Sequence, residues 1–391
     1  MATTKILGLE ITALSASYAT TSSFALAVAG GGGGAAFPYT GSALITGSLG
    51  ITGSTSIRGT LNQASSSLSS GLFSHVQGFQ NTASGIYSHA EGQSTKASGS
   101  YSHAEGNLTI AKGAYSHAEG QSTTASGSYS HAEGGGSSTY YGSDISSTTP
   151  PVDARGAYSH AEGYGYYAVY DSDGEVIDDF RLFASGEASH AEGYATQAKG
   201  YASHAEGYVT TTIGQFSHAE GSSTIASGSY SHAEGYSTTA TGYASHAEGQ
   251  FTTATGYASH AEGYSTTSTG DYSHAEGVYS LASAQGAHAE GYYTVASGTS
   301  QHVQGQFNLS SSVQGAFIVG NGTGDGALRS NLIFAAGSTV QITGSLKIKD
   351  ILQLSRRTTT PTAEEGMIIA SGSAGASKVY YYNGTTWNAL F

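Results

Sequence analysis

Ser245-His246-Ala247-Glu248-Gly249-Gln250-Phe251 runs directly into Thr252-Thr253-Ala254-Thr255-Gly256-Tyr257-Ala258. Both heptads have the form [Ser/Thr]-x-Ala-x-Gly-x-x. Together they make a 14-residue unit whose first half is Ser-His-Ala-Glu-Gly. The unit's histidine recurs at His89, His103, His117, His131, His160, His190, His204, His218, His232, His246, His260 and His274, in a variant unit at His288, and in two end variants at His75 and His302. These 15 copies use every histidine in the chain. The spacing is 14 residues except for 29 between His131 and His160 and 30 between His160 and His190. A fixed short period means stacked units, because one such unit cannot bury its inner face alone.

Side chains alternate along a strand, so the Ser/Thr, Ala and Gly of each heptad share a face. Small residues on that face fit the inside of a thin coil. Glycine at the strand end permits a tight corner where φ turns positive. Each heptad is then expected to be a five-residue strand plus a two-residue turn. One 14-residue unit is one coil of a two-stranded, all-β parallel roll. With coils about 4.8 Å apart, 15 of them make a rod of roughly 70 Å.

The two outward faces differ. Along the second strands they carry Lys96, Ile110, Lys112, Thr124, Lys199, Ile225 and Thr241, the variety of a solvent-facing surface. Along the first strands they carry a histidine and, two residues on, a glutamate in 13 of 15 copies. The glutamates are Glu91, Glu105, Glu119, Glu133, Glu162, Glu192, Glu206, Glu220, Glu234, Glu248, Glu262, Glu276 and Glu290. Such uniformity implies the same neighbour at every coil, and the obvious neighbour is another copy of the chain. In both end coils the glutamate becomes Gln77 or Gln304, beside His75 and His302. A terminal layer lacks a neighbour on one side, so a charge there is less well compensated.

The repeat, over about residues 66–315, resembles the YadA-like head repeat of trimeric adhesins. That resemblance implies a left-handed roll with three copies side by side about one axis, and it puts the His/Glu column at that axis. This chain departs from the family in having a His/Glu seam where the family has an apolar one. The run Phe317-Ile318-Val319-Gly320-Asn321-Gly322-Thr323, with Arg329-Ser330-Asn331 after it, resembles phage and prophage tail-fibre proteins, as does the Tyr381-Tyr382-Asn383-Gly384-Thr385-Thr386-Trp387 ending.

Of 391 residues 57 are glycine and only 10% are charged. A single roll of Ala, Ser, Thr and Gly has a poor apolar core, so stability must come from backbone ladders and a second buried face. The net charge is −14, and 13 of 27 acidic residues are the repeat glutamates, so no basic patch for nucleic acid is expected. There is no cysteine, hence no disulfide. The first 30 residues lack a basic, then apolar, leader pattern and no membrane span is expected.

Around the roll we expect an N-terminal attachment segment (1–36), a β collar (37–65), a second β collar sharing its Ile-Thr-Gly-Ser-Leu motif (316–353) and a C-terminal β module (354–391) that turns at Asn383-Gly384. Insertions are placed at 135–154 and 164–183. The second reads as a hairpin with arms at 167–170 and 176–183 and an acidic turn at Asp173-Gly174. Its acidic spacing does not fit an EF-hand. The aromatics Tyr140, Tyr141, Tyr164, Tyr166, Tyr167, Tyr170, Phe180 and Phe183 are candidates for receptor contact, since tyrosines stack on sugars and donate hydrogen bonds; the alternative is that they pack the insertions onto the roll.

Ser, His and Glu in one pentapeptide invite a hydrolase triad. Alternation opposes it, because serine faces inward while His and Glu face outward. We therefore assign no catalytic residue. For the seam, the first reading is imidazole N–H donated to a carboxylate of the same or an adjacent chain; a ladder of Zn²⁺ or other trapped ions, and a simply solvent-exposed face, are the alternatives. No metal residue or cofactor is assigned. Loss of carboxylate charge should loosen the rod toward pH about 4. The expected function is a homotrimeric tail fibre, sited on the virion, that joins a tail or baseplate protein through its N-terminus and binds a host surface glycan or protein. Rival readings are a bacterial surface adhesin and a glycan-degrading tailspike.

Overall fold

A computed structural model of the chain describes residues 4–6, 9–11, 61–63, 67–136, 152–165, 169–170, 176–178, 181–347, 368–371 and 378–389. Two units divide it, Met1–Arg58 and Gly59–Phe391. In the first, Thr4–Ile6 pairs antiparallel with Leu9–Ile11, so the expected attachment segment contains a strand pair. Residues 37–60 lie outside the described residues.

The second unit is a parallel β-solenoid of about 16 turns of 14 residues. Its first sheet stacks each His-Ala-Glu-Gly strand on the next in strict register, His89 on His103, Ala90 on Ala104, Glu91 on Glu105. Its second sheet has 15 strands, from Leu68–Ser69 to Val295–Ala296. Both ends of the first sheet run beyond the repeat. Leu61–Gln63 pairs with His75–Gln77, and Phe317–Asn321 adds a parallel rung on His302–Gln306. The chain then reverses into the antiparallel strands Asn331–Ala336 and Thr339–Ile342. Near the C-terminus Ile368–Ser371, Lys378–Tyr382 and Trp387–Ala389 form an antiparallel sheet, whose last turn is held by Asn383 Oδ1 accepting from the Thr385 and Thr386 amides.

The two halves of a coil are less alike than their sequences. The first strand has five residues, His89–Gln93, and the second only two, Lys96–Ala97. The second stops early because the Ser98 and Gly99 amides both donate to one carbonyl, that of Ala111. The two glycines also serve different ends. Gly92 is not an inward residue as alternation implied. It is exposed, keeps its place in the ladder and has φ +105°. Gly99 is buried, and a Cβ there would lie 1.9 Å from the Gly113 carbonyl oxygen, so only glycine lets successive coils approach.

Inside, the column Ala90, Ala104, Ala118, Ala132 is fully buried, as is its counterpart Ala83, Ala97, Ala111, Ala125. The serine of most repeats closes the corner: Ser88 Oγ donates to the Gly85 carbonyl at 2.7 Å, and Ser102 and Ser116 repeat the bond on Gly99 and Gly113, whereas Ser259 Oγ is buried without a hydrogen-bond partner among the described residues. Corner residues such as Tyr101 adopt a left-handed φ of 60°. That conformation costs a bulky residue roughly 1–2 kcal/mol. It is offset by the Tyr101 amide, which donates to Ile86 of the preceding coil at 2.8 Å.

The insertions are shorter than the spacing implied. Val152–Ala154 and Leu182–Ala184 are not insertion but second strands of the roll, paired with Thr123–Ala125 and with each other. Residues 137–151, 166–168, 171–175 and 179–180 lie outside the described residues. Within the second expected insertion, Val169–Tyr170 pairs antiparallel with Val176–Asp178, while Phe183 belongs to a strand of the roll. Among the described residues no helix is long and apolar enough to cross a membrane.

Candidate functional site

In-register stacking turns each repeated side chain into a column. The imidazoles from His75 to His288 stack with centroids 4.6–4.9 Å apart. His302 meets His288 edge-on and stacks on Phe317 at 5.3 Å. Phe317 therefore closes the column, a role the repeat pattern did not announce because Phe317 follows a 15-residue step rather than 14. The His and Glu side chains are about one-third exposed on the outer face of the first sheet, where alternation placed them.

The carboxylates sit between successive rings. Glu91 lies 3.7 Å from His89 Nε2 and 3.9 Å from His103 Nε2; Glu105 lies 3.9 Å from His103 and 3.7 Å from His117. Glu248 and Glu262 repeat the arrangement with their neighbours at 3.5–4.0 Å. Within the chain the expected imidazole–carboxylate hydrogen bond forms at His131–Glu119 and His288–Glu276, both 3.2 Å. Elsewhere the gap exceeds hydrogen-bond length. The Nε2 atoms of His89, His103, His117, His160, His190, His204, His218, His232, His246, His260 and His274 are shielded from solvent and have no hydrogen-bond partner among the described residues.

These columns shift one another's protons. Burial, then the stacked neighbouring imidazole, lowers the pKa of His89, His103, His117, His160, His190, His204, His232 and His260. Some neighbouring carboxylates also shift one another. Hydrogen bonding to Glu133 pushes Glu162 up to about 7, and hydrogen bonding to Glu220 does the same to Glu234. Glu206 is also raised, chiefly by Glu220, while Glu133 and Glu220 are lowered as the accepting partners. Any strictly repeated acid in a parallel register must stack on its own kind, so this coupling could have been foreseen from the period. Open grooves run beside the column, lined by the glutamates and by the positive-φ glycines such as Gly92 and Gly106.

The capping coils carry more than the Glu-to-Gln change at Gln77 and Gln304. Val76 and Val303 replace the core alanine and are fully buried. Asn81 and Asn308 replace the inward threonine. Asn81 Nδ2 donates to the Gly92 carbonyl at 2.8 Å, and Asn308 takes both sides of Val295, accepting from its amide and donating to its carbonyl. The signal was present as asparagine in the threonine column of the first and last coils.

The receptor-contact candidates Tyr140, Tyr141, Tyr166, Tyr167 and Phe180 lie outside the described residues; Tyr170 sits in the strand Val169–Tyr170. Tyr164 is part of the roll and stacks on Tyr194 at 5.8 Å. Phe183 is also a roll residue, 5% exposed, with the Arg155 guanidinium 4.8 Å above its ring and the Lys199 ammonium at 5.5 Å. Here the second-sheet face is not the solvent surface its variety implied. Thr124, Asp153, Phe183 and Gln197 are all buried, and Asp153 pairs with Arg155 at 2.6 Å. Burial raises the Asp153 pKa, and Arg155 pulls it partly back.

A separate aromatic column follows one corner. Tyr87, Tyr101, Tyr115, Tyr129 and Tyr158 stack at 4.8–5.0 Å and remain about half exposed. The serine of the pentapeptide is buried and committed to its glycine carbonyl, on the opposite side of the strand from His and Glu. Comparison with protein-family models finds no match, and comparison with curated proteins finds no relative.

Proposed function

We propose that three copies of this chain assemble side by side on their His/Glu faces, and that the resulting fibre is a structural virion protein. It is a tail fibre or related appendage that reaches to a host surface. The observation that carries the assembly is the contrast between the faces. The first sheet repeats His and Glu through 13 coils, whereas the second sheet varies from Lys96 to Ile110 to Thr253. A face open to water is under no pressure to repeat itself. A core of alanine and hydroxyl residues, thin by the standard of globular domains, also favours burial of a second face. The tail-fibre reading is supported by the sequence likeness of the segment after the roll. In that reading the N-terminal part joins a tail or baseplate protein, and the insertions present Tyr140, Tyr141, Tyr166, Tyr167, Tyr170 and Phe180 to a host glycan or protein.

The absolute mass by light scattering tests the assembly. A value near three times 39.6 kDa is expected; a monomer overturns it. For attachment, fluorescently labelled protein should decorate susceptible bacteria. A variant lacking 137–151 and 166–180 should keep the assembled mass and lose the cells. Retained decoration would move the receptor site elsewhere.

A further inference from the structure

We propose that the His/Glu column binds divalent transition-metal ions of borderline softness, of which Zn²⁺ is the type. Each ion is held by the Nε2 atoms of two stacked histidines and an oxygen of the glutamate between them. In His103–Glu105–His117, His117–Glu119–His131, His131–Glu133–His160 and further triads along the roll, one ligand atom from each residue lies within 4.8 Å of the other two. The nitrogen–oxygen gaps point the same way. At 3.5–4.0 Å most are too long for a hydrogen bond. Two ligands bound at about 2.0–2.2 Å around a tetrahedral ion stand about 3.4 Å apart. The nitrogen–oxygen gaps are thus close to the edge of a coordination polyhedron, whereas the two imidazoles, stacked with centroids 4.8–4.9 Å apart, must tilt toward the ion to share it.

Two independent observations support a cation here. The Nε2 atoms of His103, His117, His160 and eight further repeats are shielded from water and make no hydrogen bond among the described residues, although an unsatisfied buried nitrogen is costly. The carboxylates are stacked on their own kind at every coil, and adjacent charges about 4–5 Å apart repel by roughly 1 kcal/mol even in water. A divalent ion relieves both at once. Two imidazoles with one carboxylate suit Zn²⁺, Cu²⁺, Ni²⁺ or Co²⁺. Ca²⁺ and Mg²⁺ prefer all-oxygen ligation. Successive triads share a histidine, and each histidine has one Nε2 facing the carboxylates, so neighbouring triads cannot both fill. Occupancy is limited to every second coil. The inference rests on the geometry of one chain and does not require the trimer.

The full chain, purified without a histidine tag and stripped with EDTA, should be dialysed against Zn²⁺ and then against metal-free buffer. Elemental analysis should find several zinc ions per chain, at most one for every second coil. Co²⁺ loading should give visible d–d absorption of a low-coordinate site. The triple substitution Glu234→Gln, Glu248→Gln and Glu262→Gln, which copies the residue of the capping coils, should lower the zinc content with the circular dichroism unchanged. Zinc at buffer level, or retention of Ca²⁺ equal to that of Zn²⁺, would overturn the proposal. Light scattering on the same samples reports the trimer separately, so failure of one reading is distinct from failure of the other.

Discussion

The inward threonine of the second heptad is a residue that the fold tolerates rather than needs. Thr252 Oγ1 is buried without a hydrogen-bond partner among the described residues, and so are Thr238 and Thr266 above and below it. An unsatisfied buried hydroxyl costs about 1–3 kcal/mol. The chain already places Val152 and Leu182 in this column, both fully buried. Thr252→Val should therefore raise stability by about 1 kcal/mol, read as a higher midpoint in chemical denaturation; a lower midpoint would mean the hydroxyl is satisfied in a way the single chain does not show. The same column explains why the insertion limits were misjudged. Val152-Asp153-Ala154-Arg155-Gly156 and Leu182-Phe183-Ala184-Ser185-Gly186 keep the Ala-x-Gly frame, but the missing Ser or Thr hid them. The left-handed corner tyrosines were legible only as turn residues. Their conformation depends on a hydrogen bond from the backbone amide to a carbonyl of the preceding coil, which no local pattern encodes.

At the scale of the element, the His/Glu column sets the response to pH, and its two members act in opposite directions. Histidines such as His103 and His190 have folded pKa values below 6.5. Their contribution is intact above that value and is lost as pH falls toward the lowered one. Glu162 and Glu234, raised to about 7, do the reverse: they favour the fold below the ordinary carboxylate value, and that contribution fades as pH rises through 7. Eight lowered histidines and the lowered Glu133 and Glu220 act together against three raised glutamates, so loss of stability on acidification should prevail. The melting temperature of chelator-treated protein should fall between pH 7 and 5, with onset below about 6.5. The carboxylate value alone had pointed to a midpoint near 4. A melting temperature that rises over this interval would show that the raised carboxylates dominate. Placement of His and Glu on one face was readable from alternation. Coupling within each column follows from strict register, which the period implies but a single unit does not display.

For the whole molecule, the repeat period made the solenoid legible before any residue was weighed. The ends and the interruptions were harder, because Leu61–Gln63 and Phe317–Asn321 extend the first sheet without carrying the pentapeptide. Columns that match like with like predict that coils are interchangeable. Deletion of residues 236–249 joins Gly235 to Gln250 and leaves every column in register. This variant should keep its circular dichroism and melt within a few degrees of the parent. Deletion of 237–249, one residue fewer, should unfold or markedly destabilise the roll, since the chain after the joint is one residue out of phase and its inward Thr252 and Ala254 would turn outward. Equal stability of the two deletions would contradict strict register. The same interchangeability makes length a counted quantity. Fourteen codons gained or lost between near-identical repeats change the length of the roll by one rung while both capped ends stay as they were, so a lineage can lengthen or shorten the solenoid without redesigning either end.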